Sequence, residues 1–216
     1  KLAVSDVKSM VMSIISSQVH GLSTVTSLVN SVANKDTLVD LLRELLAQIM
    51  SLLSLLVVST TNANVDAQLV STEIVEELSS GFLHGIRTYL LGTGGLSTSQ
   101  IQTVVYNGAT STIAGIGAMR DSGGFNGGSA TLDASQFSTA IERATNTFVS
   151  ILPTLVASSS TTKVATIETL MTNFTSGSMD GIIALPSVQQ GTNTELKLLI
   201  GAVSRGAVGG AGAMLA

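Results

Sequence analysis

Two histidines, His20 and His84, are the residues in this 216-residue chain whose ordinary pKa suits metal binding or proton transfer near neutral pH. They fall on separate segments, and neither has the His-x-x-x-His or His-Glu spacing that would set a second ligand or an orienting carboxylate on the same face. Both read as surface or cap histidines. The acidic trio Glu73, Glu76 and Glu77 has the residue types for acid chemistry or for calcium, but its spacing is that of a solvated helix face. Serine is abundant without a Gly-x-Ser-x-Gly elbow. The glycine runs at Gly92–Gly95, Gly123–Gly128 and Gly206–Gly212 neither follow a strand nor precede Lys-Ser or Lys-Thr, so a phosphate loop is unsupported. With no cysteine there is neither a disulfide nor a thiolate ligand. The residues therefore point to a non-enzyme with no catalytic residue, no metal and no cofactor. One modification signal, the sequon Asn173-Phe174-Thr175, marks Asn173 for a glycan if the chain is secreted.

Charge narrows the partners. Ten Lys and Arg stand against fourteen Asp and Glu with no basic cluster, so nothing here would neutralise a phosphate backbone, and nucleic acid is excluded as a partner. Charged residues make up 11% of the chain and the net charge is -4, which leaves a Ser-, Thr-, Asn- and Gly-rich surface that repels its own copies weakly. Self-association is the expectation. Aromatic residues are only 3% and Trp is absent, so the core must be built from small and aliphatic side chains.

The elements follow from apolar periodicity. Leu38 to Val58 places Asp40, Arg43, Glu44, Gln48, Ser51 and Ser54 on one narrow stripe of a helix otherwise made of Leu, Ile, Met and Val, which must be surrounded. Its uncharged part, Leu45 to Val58, reaches about 21 Å of the roughly 30 Å of a bilayer core, so it reads as a buried helix and no transmembrane segment is expected. Ala134 to Val156 writes a weaker version, with Pro153 inside it expected to bend the helix.

Internal repetition sets the expected architecture. Ser5–Leu22 aligns about 94 residues on with Ser99–Ile116, and about 95 further with Thr194–Ala211. Val70–Gly81 matches Thr166–Gly177, and His84-Gly85-Ile86 matches Asp180-Gly181-Ile182. In these alignments His20 becomes Ala114 and Gly209, and Glu73, Glu76 and Glu77 become Thr169, Thr172 and Asn173, so none recurs as a site should. The expected fold is all-α: a tandem repeat of two helical-bundle units of about 95 residues, 1–95 and 96–193, plus a partial third at 194–216.

Within a unit, a first helix is expected to stop at Gly21 and Gly115. A short segment, Thr24 to Ala33, then leads to an N-cap at Asp36. A third helix over Val65–Ser80 is broken at Gly81 and followed by a fourth over Phe82–Leu91. Arg120 to Ser129 reads as a Gly-rich insertion loop. The adjacent opposite charges Arg43-Glu44 and Glu142-Arg143 hint at pairing between units. The third copy has an apolar face, Leu196, Leu199, Ile200 and Val203, without the central helix that would follow it, which makes this the candidate assembly face.

The stretch Leu38–Val58 followed by Ser59-Thr60-Thr61-Asn62 and Val65–Leu78, echoed at Ser150–Thr172 and in Gly206–Ala213, resembles the helical, non-crystalline domains of spider silk proteins. A shorter likeness, Ser27–Leu53, is to apisimin, a helical peptide of royal jelly. The chain departs from the silk pattern in lacking poly-Ala and long Gly-rich blocks. What the resemblance implies is a secreted, extracellular structural protein that assembles with itself into an oligomer or filament. The rival expectation is a helical carrier whose seven Met and many Leu enclose a small apolar ligand such as a lipid, sterol or pigment.

Overall fold

The computed structural model describes residues 4–25, 32–59, 67–91, 96–121, 134–156, 162–191 and 193–214. Nearly all of these are helical and none forms a strand, so the all-α class holds. Helix α1 spans Val4–Thr24, α2 Val32–Ser59, and α3 Ala67–Gly85 with a π-helical continuation, Ile86–Leu91. Helix α4 spans Thr98–Asp121, and α5 spans Ala134–Ile151 with a 3-10 turn, Leu152–Leu155. Helix α6 spans Lys163–Ile183, the single turn α7 Pro186–Gln189, and α8 Asn193–Ala213.

Each long helix buries one stripe at helical spacing. Helix α1 inserts Val11, Ile15 and Val19, α2 inserts Leu38, Leu42 and Leu46, and α5 inserts Phe137, Ile141, Ala144 and Phe148. Burying each larger side chain contributes about 1.5–3 kcal/mol before entropy is charged against it. Three phenylalanines meet near Gly108 of α4. Phe148 of α5 lies 4.7 Å from Phe174 of α6, ring centre to ring centre, and Phe148 and Phe82 both approach Gly108, where a Cβ would stand 3.0 Å and 3.6 Å from them.

The helices pack by a simple rule: the extensive contacts join long helices two apart in the chain, the single turn α7 not being counted. Helices α1, α3, α5 and α8 form one row, α2, α4 and α6 the other, and consecutive helices touch less. Neighbours in a row run parallel. Lys8, Met12 and Val19 of α1 meet Glu73, Gly81 and Gly85 of α3 in the same order, Tyr106 and Ile113 of α4 meet Gly177 and Gly181 of α6, and Glu142 and Asn146 of α5 meet Gly206 and Gly210 of α8. Glycines spaced four apart, Gly81/Gly85, Gly177/Gly181 and Gly206/Gly210, lie at these crossings. A Cβ on Gly177 would stand 2.2 Å from the Tyr106 carbonyl oxygen, and one on Gly206 2.3 Å from that of Glu142. The helix backbones touch because nothing larger than hydrogen separates them.

Several local expectations are corrected. Gly21, Gly81 and Gly115 lie inside helices and do not end them, because at Gly81 close packing against Met12 of α1 outweighs the roughly 1 kcal/mol propensity penalty of glycine. The third and fourth helices are thus one helix that loosens into π geometry only at Ile86. Asp36 sits in the second turn of α2, not at its N-cap, and its carboxylate accepts from Gln100 Nε2 of α4 at 2.8 Å. Pro153 does not bend an α-helix: α-geometry ends at Ile151, and Pro153, lacking an N–H, opens the 3-10 turn. Arg120 and Asp121 close α4 and do not belong to a loop, and Arg120 lies 5.0 Å over the Phe137 ring. Residues 122–133 and 26–31 lie outside the described residues. The central stretch is helical as expected. Leu46 is buried and Leu45 and Ile49 partly so, while the side chains of 50–59 lie outside the described residues. Among the described residues no helix is long and apolar enough to cross a membrane.

Gly177→Ala is expected to destabilise the fold, since an overpacking cost of about 1–3 kcal/mol against a backbone oxygen exceeds the roughly 1 kcal/mol that alanine contributes to helix propensity. Gly212→Ala, where a Cβ meets nothing within 4 Å, is expected to stabilise it by up to about 1 kcal/mol. Urea unfolding of both variants checks the pair; a neutral Gly177→Ala would contradict the close crossing.

Candidate functional site

The residues that could do chemistry are not brought together. His20 is exposed on α1 and its ring lies 4.2 Å, tilted by 40°, from that of Tyr89, while His84 is exposed on α3 with Nε2 3.4 Å from Thr88 Oγ1 of its own helix. Among the described residues no group of three His, Cys, Asp or Glu is placed to hold a metal ion. Tyr106 of α4 donates its hydroxyl to the Asp180 carboxylate of α6, and that bond raises the phenol above its ordinary 10.0.

The acidic trio is not the solvated face its spacing suggests. Lys8 of α1 lies 3.4 Å from Glu73 and 3.6 Å from Glu77, and Arg143 Nε of α5 lies 2.7 Å from Glu76, so α3 is clamped by cations from both row neighbours. The sequence concealed this because the partners sit on other helices, far along the chain. Glu142 accepts from Arg205 Nε of α8 at 2.7 Å, so the adjacent charges of α5 reach opposite ways, one to α3 and one to α8. Arg43 of α2, by contrast, pairs within its own helix with Asp40 at 3.6 Å. Arg120 pairs with Glu195, tying α4 to α8. Burial raises the Glu76 carboxyl above its ordinary 4.5, against the opposing pull of Arg143 and Lys8.

Asn173 lies within α6, partly buried, and its Nδ2, the atom a glycan would be joined to, donates to the Thr169 carbonyl at 2.8 Å. The tail face divides in two. Leu199 and Val203 are buried in the core on the side of α8 that meets α5, Leu196 is partly buried, and Ile200 stays exposed.

Comparison of the three sequence-matched helices exposes a surface the sequence reading missed. Met10 and Ile14 of α1 are 51% and 53% exposed and Val25, just past its end, is 43% exposed; Met10, Ile14, Ser17 and Gly21 make one stripe. The matching positions in α4, Val104, Gly108, Ser111 and Gly115, are buried, as are Leu199, Val203, Gly206 and Gly210 in α8. Phe82 of α3 and Phe148 of α5 meet that stripe on α4 at Gly108, and α5 covers it on α8; among the described residues nothing covers it on α1. The complementary stripe is buried on α1 as Val11, Ile15 and Val19 and on α4 as Val105, Ala109 and Ile113, but it is open on α8, where Ile200, Ser204 and Val208 are exposed, Val208 at 74%. The signal was present in the aligned copies: the same columns hold apolar or small residues three times, which a freely solvated face does not require.

An open pocket of about 790 Å³ lies where the end of α3, the start of α4, the 3-10 turn after α5 and the start of α6 converge. Leu91, Leu96, Ile101, Leu155 and Leu170 give it apolar walls, and Arg87 and Lys163 also line it. Among the described residues neither of these cations has a carboxylate partner.

Because the folded state holds the Glu76 proton more tightly than the unfolded chain, its contribution to stability falls as pH rises from about 4.5 through the raised folded value, and stays lost above it. Glu76→Gln is expected to flatten that part of the stability profile, measured by urea unfolding between about pH 4 and 7; a profile unchanged by the substitution would contradict the burial. Comparison with protein-family models, with curated proteins and with solved structures found no match to this chain.

Proposed function

We propose that the chain is a secreted, self-assembling structural protein: a tandem array of two helical units, 1–95 and 96–193, with a third begun at 194–216, acting through helix packing and not through catalysis. The observation that carries this reading is the pair of open stripes on α1 and α8, apolar at positions that the matching helices bury. Three further features support it. First-to-third packing recurs as α1 on α3 and α4 on α6, and central-to-next-first packing recurs as α2 on α4 and α5 on α8. The matched glycines Gly81/Gly85 and Gly177/Gly181 occupy the equivalent crossings. The low surface charge opposes association weakly. Repeat arrays gain stability from each neighbour interface, so an open end is a surface that a further helix stabilises.

A second reading, a carrier of small apolar ligands, is favoured by one observation, the apolar pocket lined by Arg87 and Lys163. A single-chain amphiphile with an anionic head fits that combination, its tail on the leucines and its charge beside the two cations.

Static light scattering of purified protein over a hundredfold concentration range is expected to give a mass rising above the 22.0 kDa of one chain. A constant monomer would refute the assembly reading. Native mass spectrometry of detergent-free protein separates the two readings, since a stoichiometric bound lipid or pigment on a monomer supports the carrier.

A further inference from the structure

We infer that copies associate head to tail, the open stripe of α8 on one molecule docking in parallel on the open stripe of α1 on the next; this rests on the assembly reading and adds to it a surface, a polarity and a register.

The row α1–α3–α5–α8 sets the geometry. Its inner helices are covered on both flanks by parallel neighbours, while α1 and α8 are each covered on one. The two open stripes therefore face outward from opposite ends of the row, and a second copy placed parallel to the first continues the packing already found three times within the chain. They are also unlike in a way that fits. In the parallel register that sets Lys197 of α8 level with Asp6 of α1, Met10 falls opposite Gly201, Ile14 falls level with Arg205 and beside Ser204, and Val208 falls opposite Ser17, one turn from Gly21. Met10 and Val208 each meet a small residue, as Val19 meets Gly85 and Val149 meets Gly210 inside the molecule. A Cβ on Gly21 meets nothing within 4 Å, whereas one on its counterpart Gly210 would stand 2.6 Å from the Asn146 carbonyl oxygen, so α1 retains the room for a backbone approach that α8 has used. A contact between two different patches does not close on itself, and repetition gives a linear filament.

Two single-end variants test this. Ile14→Glu places a charge on the α1 stripe and Val208→Glu one on the α8 stripe; both positions are exposed, so helicity by circular dichroism and the thermal midpoint are expected to match the unmodified protein. Unmodified protein is expected to grow in mass with concentration without a plateau. Each variant alone is expected to stay monomeric, and an equimolar mixture is expected to form a one-to-one dimer and stop there, because Ile14→Glu still offers α8 and Val208→Glu still offers α1. Dimerisation of Val208→Glu alone would overturn the proposal in favour of an α1-to-α1 contact, and continued polymerisation of both variants would place the interface elsewhere. In either case the assembly reading survives. Unmodified protein that stays monomeric would remove both.

Discussion

Contact between the backbones of parallel helices is the constraint on which the rest of this structure depends. Where Gly81 and Gly85 of α3 meet α1, Gly177 and Gly181 of α6 meet α4, and Gly206 and Gly210 of α8 meet α5, the approach leaves little or no room for a methyl group. A chain built this way needs small residues along its stripes, and that need explains the composition: 21 glycines, abundant Ser, Thr and Ala, and few aromatics. It also carries a cost. Glycine weakens each helix by roughly 1 kcal/mol relative to alanine, and the hydroxyls of Ser79, Thr112, Thr145 and Ser178 are buried without a hydrogen-bond partner among the described residues. Small size at the crossings outweighs hydrogen-bond satisfaction there, and burial of the aliphatic and phenylalanine core offsets it.

Scarce charge is spent between helices. Lys8, Arg120, Arg143 and Arg205 each bridge to another helix, and these pairs hold parallel neighbours at one axial level where small residues alone would let them slide. An exposed pair contributes at most about 1 kcal/mol, so the value of these contacts lies in setting register more than in stability. The surface that remains is hydroxylic. On α6, Thr169, Thr172 and Thr175 return their hydroxyls to the carbonyls of Ala165, Glu168 and Met171, a self-satisfied face that asks for no partner.

Helical character was legible from apolar periodicity alone, and the patterns of Leu38 to Val58 and Ala134 to Val156 placed two helices near their observed positions. Boundaries were not. Gly21, Gly81 and Gly115 carry the local signature of a helix stop, and Gly81 is retained inside its helix by a neighbour the local sequence does not reveal. The partners of Glu73, Glu76 and Glu77 were hidden for the same reason: row neighbours lie two helices apart along the chain. The α8 face was half legible, since apolar spacing identified Leu199 and Val203 but could not say that α5 of the same chain covers them. The α1 stripe was written in the aligned columns, yet a lone Met10 or Ile14 on an amphipathic helix attracts no notice until its counterparts are seen buried.

A row of parallel helices has two flanks that cannot be alike, and this decides what sort of association such a molecule supports. A two-fold dimer through α1 would cover Met10 and Ile14 on both partners and leave Ile200 and Val208 open at each outer end; one through α8 would do the reverse. Only a contact that joins the unlike flanks covers both stripes at once, and it leaves the same two surfaces presented at the ends of every assembly it makes. The hydrophobic term that favours the first such contact is therefore undiminished for the next. Under the proposed head-to-tail contact, growth draws only on the two unlike flanks of the parallel row.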